Sequence, residues 1–235
     1  MSDTPSPDTP SPDTPSPDTP SPDTQRPDTL GPDDLADLVT RTVADYGSRT
    51  EAFWAGTRDH DVSQNRAALI GALAGAGPHV LLDFGCGPGR DLKAFTELGH
   101  TAIGIDGTEP FVTMAREWSG CEVWHQNFLD LRLPAAKFDG IFANASLFHV
   151  PSQELPRVLG ELRAALKADG VLFSSNPCGH NEEGWHGNRY GVFHDLAAWQ
   201  GLLAKAGFVE VSHYFRPEGV PREDQRWLAG VWRRR

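Results

Sequence analysis

The sequence predicts a doubly wound α/β fold, in which helices cover both faces of a mostly parallel β-sheet. Short apolar segments alternate with longer segments whose apolar residues recur every three or four positions, the pattern of strands alternating with helices. The last two apolar segments, 208–215 and 227–232, have no helix between them and are expected to pair antiparallel. We therefore expect a seven-stranded sheet that ends in an antiparallel β-hairpin.

The first half of the chain supplies three of these strands. Apolar residues at helical spacing predict two helices before the first strand, over 33–46 and 61–74. Strands and helices then alternate as strand 79–84, helix 90–98, strand 102–105, helix 109–118 and strand 122–124.

The second half continues the alternation with strand 138–143, helix 153–167, strand 171–175 and helix 194–206. Gly170 and Gly207 mark the ends of the two helices, because glycine readily takes the left-handed conformation that closes a helix. A proline-rich turn over 217–221 joins the two final strands.

The N-terminal segment is predicted to be a disordered tail over residues 1–30. The pentapeptide Thr4-Pro-Ser-Pro-Asp8 recurs at 9–13, 14–18 and 19–23, and these residue types bury too little apolar surface to offset the entropy of ordering. Residues 31–235 are then long enough for one domain. Six aspartates and one arginine give the tail a net charge of −5, which leaves −6 for the predicted domain.

Composition argues against several classes of partner. The acidic balance and the lack of a basic stripe disfavour a nucleic-acid partner, and no apolar run approaches the ~18 residues of a membrane span. Three cysteines without a C-x-x-C pair favour free thiols in the cytoplasm. His180, Glu182, Glu183 and His186 lack the His-Glu-x-x-His spacing, so no metal site is predicted. The oligomeric state stays open.

The most informative segment is the strand 79–84 with the glycine-rich turn that follows it. Asp83 ends the strand, and the turn reads Gly85-Cys86-Gly87-Pro-Gly89 before the next helix. A strand, a tight glycine turn and a helix N-terminus let the backbone close on a polar cofactor. A dinucleotide fingerprint would place its third glycine at position 90, which is Arg90. This departure, with the terminal hairpin, disfavours a dehydrogenase.

The G-x-G-x-G turn after an acid-ended strand resembles motif I of the class I S-adenosylmethionine (SAM) methyltransferases. The wider pattern is similar to a bacterial, small-molecule subgroup of that family. The resemblance implies SAM as cofactor and a set of cofactor-binding residues at the strand ends: Tyr46, Asp83, Gly85, Cys86, Gly87, Asp106, Gly107, Asn127, Phe128 and Asn144.

Within that set, the resemblance assigns each part of SAM to a position. Asp83 would contact the methionine amino group, and Asp106 would accept the ribose hydroxyls, although Asp106 could instead cap the next helix. Asn127 and Phe128 would meet the adenine, and the loop from Asn144 would reach the sulfonium. Tyr46 or Arg58 would bind the methionine carboxylate.

Two segments are expected to hold the methyl acceptor. One is the aromatic segment before motif I, with Trp54 and Arg58, whose aromatic residues could instead simply pack between helices. The other is the loop 177–193. In this loop Glu182 and Glu183 would bind an ammonium and Arg189 would bind a carboxylate. Trp185 and Tyr190 would form its aromatic walls. The alternative is that Trp185 and Tyr190 close a sheet edge while the charged residues are solvated.

Methyl transfer from a sulfonium mainly requires alignment of the nucleophile, so no catalytic triad is expected. His149 is the best candidate for a general base, with Tyr190 as a second catalytic candidate. The sequence therefore predicts methyl transfer to a small polar metabolite, at a nitrogen of an amine or imidazole-type zwitterion. The alternatives are an O- or S-methyltransferase and a non-catalytic SAM-binding scaffold.

Overall fold

The computed structural model describes residues 29–235. The predicted tail lies outside the described residues, apart from its last two positions. Three helices precede the sheet: α1 (Pro32–Ser48), α2 (Thr50–Thr57) and α3 (Ser63–Ala72). The sequence analysis did not predict α2, because an eight-residue helix is too short to show a clear period.

The alternating strands and helices then follow in the predicted order. Their bounds are β1 (Val80–Phe84), α4 (Arg90–Glu97), β2 (Thr101–Asp106), α5 (Glu109–Ser119), β3 (Glu122–His125), β4 (Phe138–Asn144), α6 (Leu155–Ala165), β5 (Leu166–Pro177), β6 (Glu182–His186), β7 (Arg189–Phe193), α7 (Leu196–Lys205), β8 (Phe208–Arg216) and β9 (Trp227–Arg234).

Seven strands form one sheet in the order β3-β2-β1-β4-β5-β9-β8. The first five pair in parallel, whereas β9 runs antiparallel to both β5 and β8. The predicted doubly wound sheet with its terminal antiparallel hairpin is confirmed. The strand order reverses between β1 and β4, which is where open α/β sheets bind ligands at the carboxyl ends of their strands.

Apolar clusters on the two faces of the sheet form the core. On one face, strand residues such as Leu82 and Ile141 pack against α6 and α7, with Leu159 and Trp199 buried between the layers. On the other face, Leu81 and its neighbours pack against α3, α4 and α5. Adjacent strand residues thus enter opposite layers, as the two-residue repeat of a strand requires.

The loop predicted over 177–193 is a β-hairpin instead. Strands β6 and β7 pair antiparallel as a separate two-stranded sheet, joined by Gly187 and Asn188. A two-residue Gly-Asn connection is a recognised hairpin signal, and Gly187 takes the positive φ of 63° that such turns need. The sequence analysis missed this signal because it treated the whole segment as an insertion.

Gly89, the third glycine of motif I, serves helix packing. It is the N-cap of α4 with φ of 95°, and a Cβ there would lie 2.9 Å from the Ala115 Cα on α5. Such a distance is too short for any side chain, so α4 and α5 can approach this closely only over a glycine.

Replacing Gly89 by alanine should destabilise the fold by about 3 kcal/mol, because the positive φ and the contact with the Ala115 backbone both carry a cost. Gly120→Ala is the matched control. Gly120 ends α5 with φ of 70° and has open space around it, so its loss should be about 1 kcal/mol. Urea unfolding would measure both, and equal losses would contradict the packing role.

Candidate functional site

A large cavity opens at the carboxyl edge of the parallel strands and has a volume of about 820 Å³. The ends of β1, β2 and β4 form its floor, and α1, α2 and the segment after α2 cover it. This volume lies within the range of pockets that hold small-molecule ligands. The cavity is therefore the candidate active site.

The motif I turn brings the backbone to the cavity floor. Gly85 has φ of 77°, and a Cβ at this position would collide with the Ser146 Cβ. The hydroxyl of Ser146 donates to the Phe84 carbonyl at 2.6 Å, which holds the loop after β4 against the turn. Cys86 and Gly87 also line the cavity, although the Cys86 side chain belongs to the core cluster with Leu92.

Asp83 places a buried carboxylate at the end of β1. Its side chain is 3% exposed, and its Oδ2 atom has no hydrogen-bond partner among the described residues. Burial raises the pKa of Asp83 well above its usual range, and the neighbouring Asp91 raises it further. An unsatisfied buried carboxyl is costly, so this position favours a ligand that brings a cationic donor.

Asp106 joins the ends of two strands through both of its carboxylate oxygens. One accepts from the Gly87 N–H at 2.9 Å and the other from the Thr108 N–H at 2.8 Å. Burial raises its pKa, while these two hydrogen bonds act in the opposite direction. The helix that follows takes Thr108 as its N-cap. Each oxygen retains a second acceptor site for a ligand hydroxyl.

The remaining predicted cofactor positions also line the cavity. Asn127 accepts the Leu129 N–H at 2.8 Å, which shapes the turn after β3. The Phe128 ring stacks on Phe84 with centroids 4.3 Å apart and forms an apolar wall. The predicted residues that the structure brings to this one cavity are Tyr46, Asp83, Gly85, Cys86, Gly87, Asp106, Gly107, Asn127, Phe128, Asn144, Trp54 and His149.

An ion network fastens the cover to the floor. Asp91 pairs with Arg66 at 2.6 Å and with Arg90 at 2.7 Å, and Arg90 also donates to the Thr57 carbonyl at the end of α2. Trp54 packs on Trp118 of α5, with ring centroids 5.1 Å apart. Arg58, predicted to bind a ligand, does not line the cavity and instead pairs with Asp59 on the surface.

A directed chain of hydrogen bonds fixes His149 beside Tyr46. The Nδ1 atom of His149 lies 2.6 Å from the Tyr190 carbonyl, which can only accept, so Nδ1 carries the proton. The Nε2 atom therefore accepts from the Tyr46 hydroxyl at 2.8 Å, and Arg189 donates to that hydroxyl oxygen at 3.1 Å. Burial lowers the pKa of His149 to about 4, so the ring is neutral at physiological pH.

The predicted acceptor-binding residues of the β6–β7 hairpin lie outside the cavity. Glu183 accepts from the Ser152 N–H and from the Tyr190 hydroxyl, and Glu182 accepts from the His180 N–H. Trp185 packs on Tyr190 and under the Arg41 guanidinium.

The acceptor role predicted for these residues stays a prediction, and their contacts within the described chain are structural. Trp185, Arg189 and Tyr190 contact α1, and Glu183 contacts the loop before α6. Glu182 holds the chain just before the hairpin. Tyr190 reaches the site through its backbone carbonyl, and Arg189 reaches it through Tyr46. The Tyr190 ring is buried against α1, in agreement with the alternative prediction that the aromatic residues of this segment close an edge.

The structure adds cavity residues that the sequence analysis did not single out. Asn65 of α3, Ser175 of β5, Arg216 and Arg226 line the cavity, and Trp227 lies beside them. They come from four elements that are distant in the chain, and no local motif marks them. Among residues 29–235, no group of three His, Cys, Asp or Glu side chains is arranged to hold a metal, and no helix is long and apolar enough to cross a membrane.

Comparison with known proteins fits this geometry. Residues 81–170 match the family model described as a methyltransferase domain. An uncharacterized methyltransferase from Anoxybacillus flavithermus is 24% identical over 162 residues, which cover 67% of this chain and 70% of that protein. The chain is a SAM-dependent methyltransferase.

Two further matches extend the comparison. A trans-aconitate 2-methyltransferase from an Azoarcus species is 33% identical over 104 residues, covering 43% of this chain and 40% of that protein. The fold is also that of the Burkholderia thailandensis 1,6-didemethyltoxoflavin-N1-methyltransferase, solved with S-adenosylhomocysteine. That structure superposes with a TM-score of 0.71 at 23% identity, over 89% of this chain and 92% of the neighbour.

The cavity of this methyltransferase fits SAM on its own evidence. The unsatisfied Asp83 carboxyl suits the ammonium of the methionine part, Asp106 suits ribose hydroxyls, and the Phe128 ring suits a planar base. When bound, SAM supplies an electrophilic methyl group on a sulfonium. Asp83, Asp106 and Phe128 would hold it in place.

Asp83→Asn should weaken binding of S-adenosylhomocysteine at least tenfold, about 1.4 kcal/mol, because an amide cannot pair with the ligand ammonium. Binding of 5′-methylthioadenosine, which lacks the amino-acid part, should not change. Calorimetry would measure both, with Asp130→Asn as a surface control, since Asp130 contacts only the exposed Arg132. An equal loss for both ligands would point to a general disturbance of the turn instead.

The buried neutral His149 should make stability pH-dependent. Its folded-state pKa lies below its unfolded value, so the unfolded chain binds more protons and stability is lost as pH falls from about 6.5 to about 4. His149→Asn keeps a donor for the Tyr190 carbonyl but cannot titrate. The stability gap between the native protein and this variant should therefore narrow by about 2 kcal/mol from pH 7.5 to pH 5.

Chemical denaturation at the two pH values measures that gap. His180→Asn, in an exposed loop, is the control and should show a constant difference from the native protein. A gap for His149→Asn that is the same at both pH values would mean that the His149 ring binds protons equally in the folded and unfolded states.

Proposed function

We propose that this methyltransferase transfers the SAM methyl group to a nitrogen atom of a small polar molecule. The observation that carries the proposal is the lining of the acceptor side of the cavity. Tyr46, Asn144 and His149 line this side, next to the residues that fit the cofactor. The cofactor and the acceptor would share this cavity, and this favours a small acceptor over a polymer. The proposal excludes nucleic acid and membranes as partners.

The state of His149 favours nitrogen over a hydroxyl group. A hydroxyl must lose its proton early to attack, which requires a base whose pKa is close to the working pH. His149, with its pKa near 4 and its Nε2 already accepting from Tyr46, is a weak base. A neutral amine or heteroaromatic nitrogen attacks through a lone pair and needs no such base. We therefore infer that His149 acts by orienting Tyr46, as a positioning residue.

The neighbours agree with a small acceptor but differ in the atom methylated. The Burkholderia protein is named as an N1-methyltransferase with a bound small molecule, whereas a relative from Oryza sativa is named as a sterol C-methyltransferase. The rice protein is 35% identical over 126 residues that cover only 33% of its length. Support for nitrogen therefore comes mainly from the environment of His149.

Three free cysteines in the described part of the chain support a reducing compartment. We propose the cytoplasm, where both SAM and small metabolites are at hand.

The test is a binding and turnover assay on the full chain. S-adenosylhomocysteine should bind, and screening with methyl-labelled SAM should yield products from amines or azoles, with the labelled atom assigned by NMR. His149→Asn should lower kcat without an acid shift in the pH profile, because the residue positions Tyr46 rather than takes the proton. Labelling of phenols or thiols alone would overturn the choice of nitrogen. Binding without any turnover would favour the scaffold alternative.

A further inference from the structure

Three arginines line the cavity, and they differ in what they contact. Arg90 is held by the Asp91 carboxylate at 2.7 Å on the cofactor side. Arg216, at the end of β8, meets only neutral acceptors: the Asn65 Oδ1 at 3.3 Å and the Asp61 carbonyl at 3.2 Å. The Arg226 side chain makes no hydrogen bond or ion pair within residues 29–235. Two guanidinium groups at the cavity thus have no carboxylate partner in the described chain.

A polar network that begins at Arg216 fixes the orientation of the Asn144 side-chain amide. Arginine can only donate, so the Asn65 atom that faces Arg216 is the carbonyl oxygen, which also accepts from the Tyr214 hydroxyl at 2.8 Å. The amide nitrogen of Asn65 must then point the other way, and it donates to the Asn144 Oδ1 at 2.8 Å.

The amide nitrogen of Asn144 is therefore left as a donor at the cavity. No hydrogen bond from this nitrogen occurs within the part of the chain that the structure describes, and Asn144 lines the cavity at the end of β4. Asn65 itself is 2% exposed, so the network is buried and its direction is fixed. The same side of the cavity thus presents two guanidinium groups and an amide N–H₂ group.

The acidic residues on this side do not occupy these donors. The Asp61 carboxylate accepts the Ser63 N–H at 2.8 Å, and Asp59 pairs with Arg58. Asp61 and Asp224 balance the charges of Arg216 and Arg226 along the cavity, so the match to a ligand carboxylate lies in donors that no carboxylate of the described chain occupies.

We propose that Arg216, Arg226 and Asn144 form a binding site for a carboxylate on the methyl acceptor. The inference rests on the proposed function and makes the acceptor more specific: a small nitrogen compound that carries an acid group. Trp227, whose ring meets Phe148 edge-on at 6.4 Å, lines the same side and offers an aromatic wall for a planar ring. Anchoring the acid group would direct the rest of the acceptor along the cavity towards Tyr46 and the sulfonium.

The experiment measures binding of matched acids and amides to the full chain saturated with S-adenosylhomocysteine. The probes are nicotinate with nicotinamide, imidazole-4-acetate with its amide, and benzoate with benzamide. Each acid should bind at least tenfold more tightly than its amide. In Arg216→Gln this preference should disappear. Calorimetry reports binding directly, so no turnover is needed.

Arg222→Gln is the matched control, because Arg222 occupies the same turn but lies over the Phe215 ring and does not line the cavity. It removes the same charge and should keep the preference for acids. Arg226→Gln is the second test variant. Its side chain makes no hydrogen bond in the described chain, so the fold should not depend on it, and it should also weaken acid binding.

Three outcomes would overturn the site. Equal binding of acids and amides in the native protein would do so, as would equal effects of Arg216→Gln and Arg222→Gln. A tenfold loss of S-adenosylhomocysteine affinity in Arg216→Gln, with 5′-methylthioadenosine unchanged, would assign Arg216 to the methionine carboxylate of the cofactor instead. Failure of the native protein to bind S-adenosylhomocysteine is a separate result, which would count against the proposed function itself.

Discussion

The hydrogen bond from the Gly87 N–H to the Asp106 carboxylate is the interaction on which the rest of the site depends. It joins the turn after β1 to the end of β2, the two strands that carry the cofactor-binding positions. Because the other oxygen of Asp106 holds the Thr108 N–H, the same carboxylate also sets where α5 begins. One buried acid therefore fixes the floor of the cavity, and glycines 85 and 89 allow the backbone to approach this closely on either side.

The cover of the cavity is held by hydrogen bonds of fixed direction, because each network contains a group that can only accept or only donate. A backbone carbonyl fixes the tautomer of His149, and an arginine fixes the amide orientation of Asn65. Through these two constraints, α1 is tied to the loop after β4, and α3 is tied to β4 and β8. Each network delivers one polar side chain to the cavity in a defined state: Tyr46 in the first and Asn144 in the second.

The sequence was sufficient to predict the sheet, because apolar alternation and glycine-rich turns are local signals. It also predicted which residues would meet at one edge of the sheet. Asp83 lies near the end of β1, Asp106 ends β2 and Phe128 lies just after β3, and all three line the cavity. The acceptor side was harder. Glu182 and Glu183 have the composition of a binding loop, but the Gly187-Asn188 turn folds them into a hairpin that packs on α1.

Arg216 shows why the acceptor side could not be predicted. It ends the second-to-last strand, and only the pairing of β8 with β9, and of β9 with β5, brings it over the cavity. Its partner Asn65 lies 151 positions earlier, on a helix whose placement also depends on tertiary packing. Neither residue belongs to a motif, so their proximity follows from the finished fold rather than from any stretch of sequence.

The charges around the cavity divide it into two unlike halves. On the cofactor side, Asp83, Asp91 and Asp106 outnumber Arg66 and Arg90, and burial together with the neighbouring Asp91 raises the pKa of Asp83. A cationic ligand at this position would offset the excess negative charge. On the opposite side, Arg216 donates only to neutral acceptors, and Arg226 pairs with no carboxylate of the described chain. Between the two halves, His149 and Tyr46 form a pair whose imidazole is neutral. A cationic cofactor and an anionic acceptor would therefore each be attracted to the correct half, and the uncharged imidazole between them would not oppose the approach of the acceptor to the sulfonium.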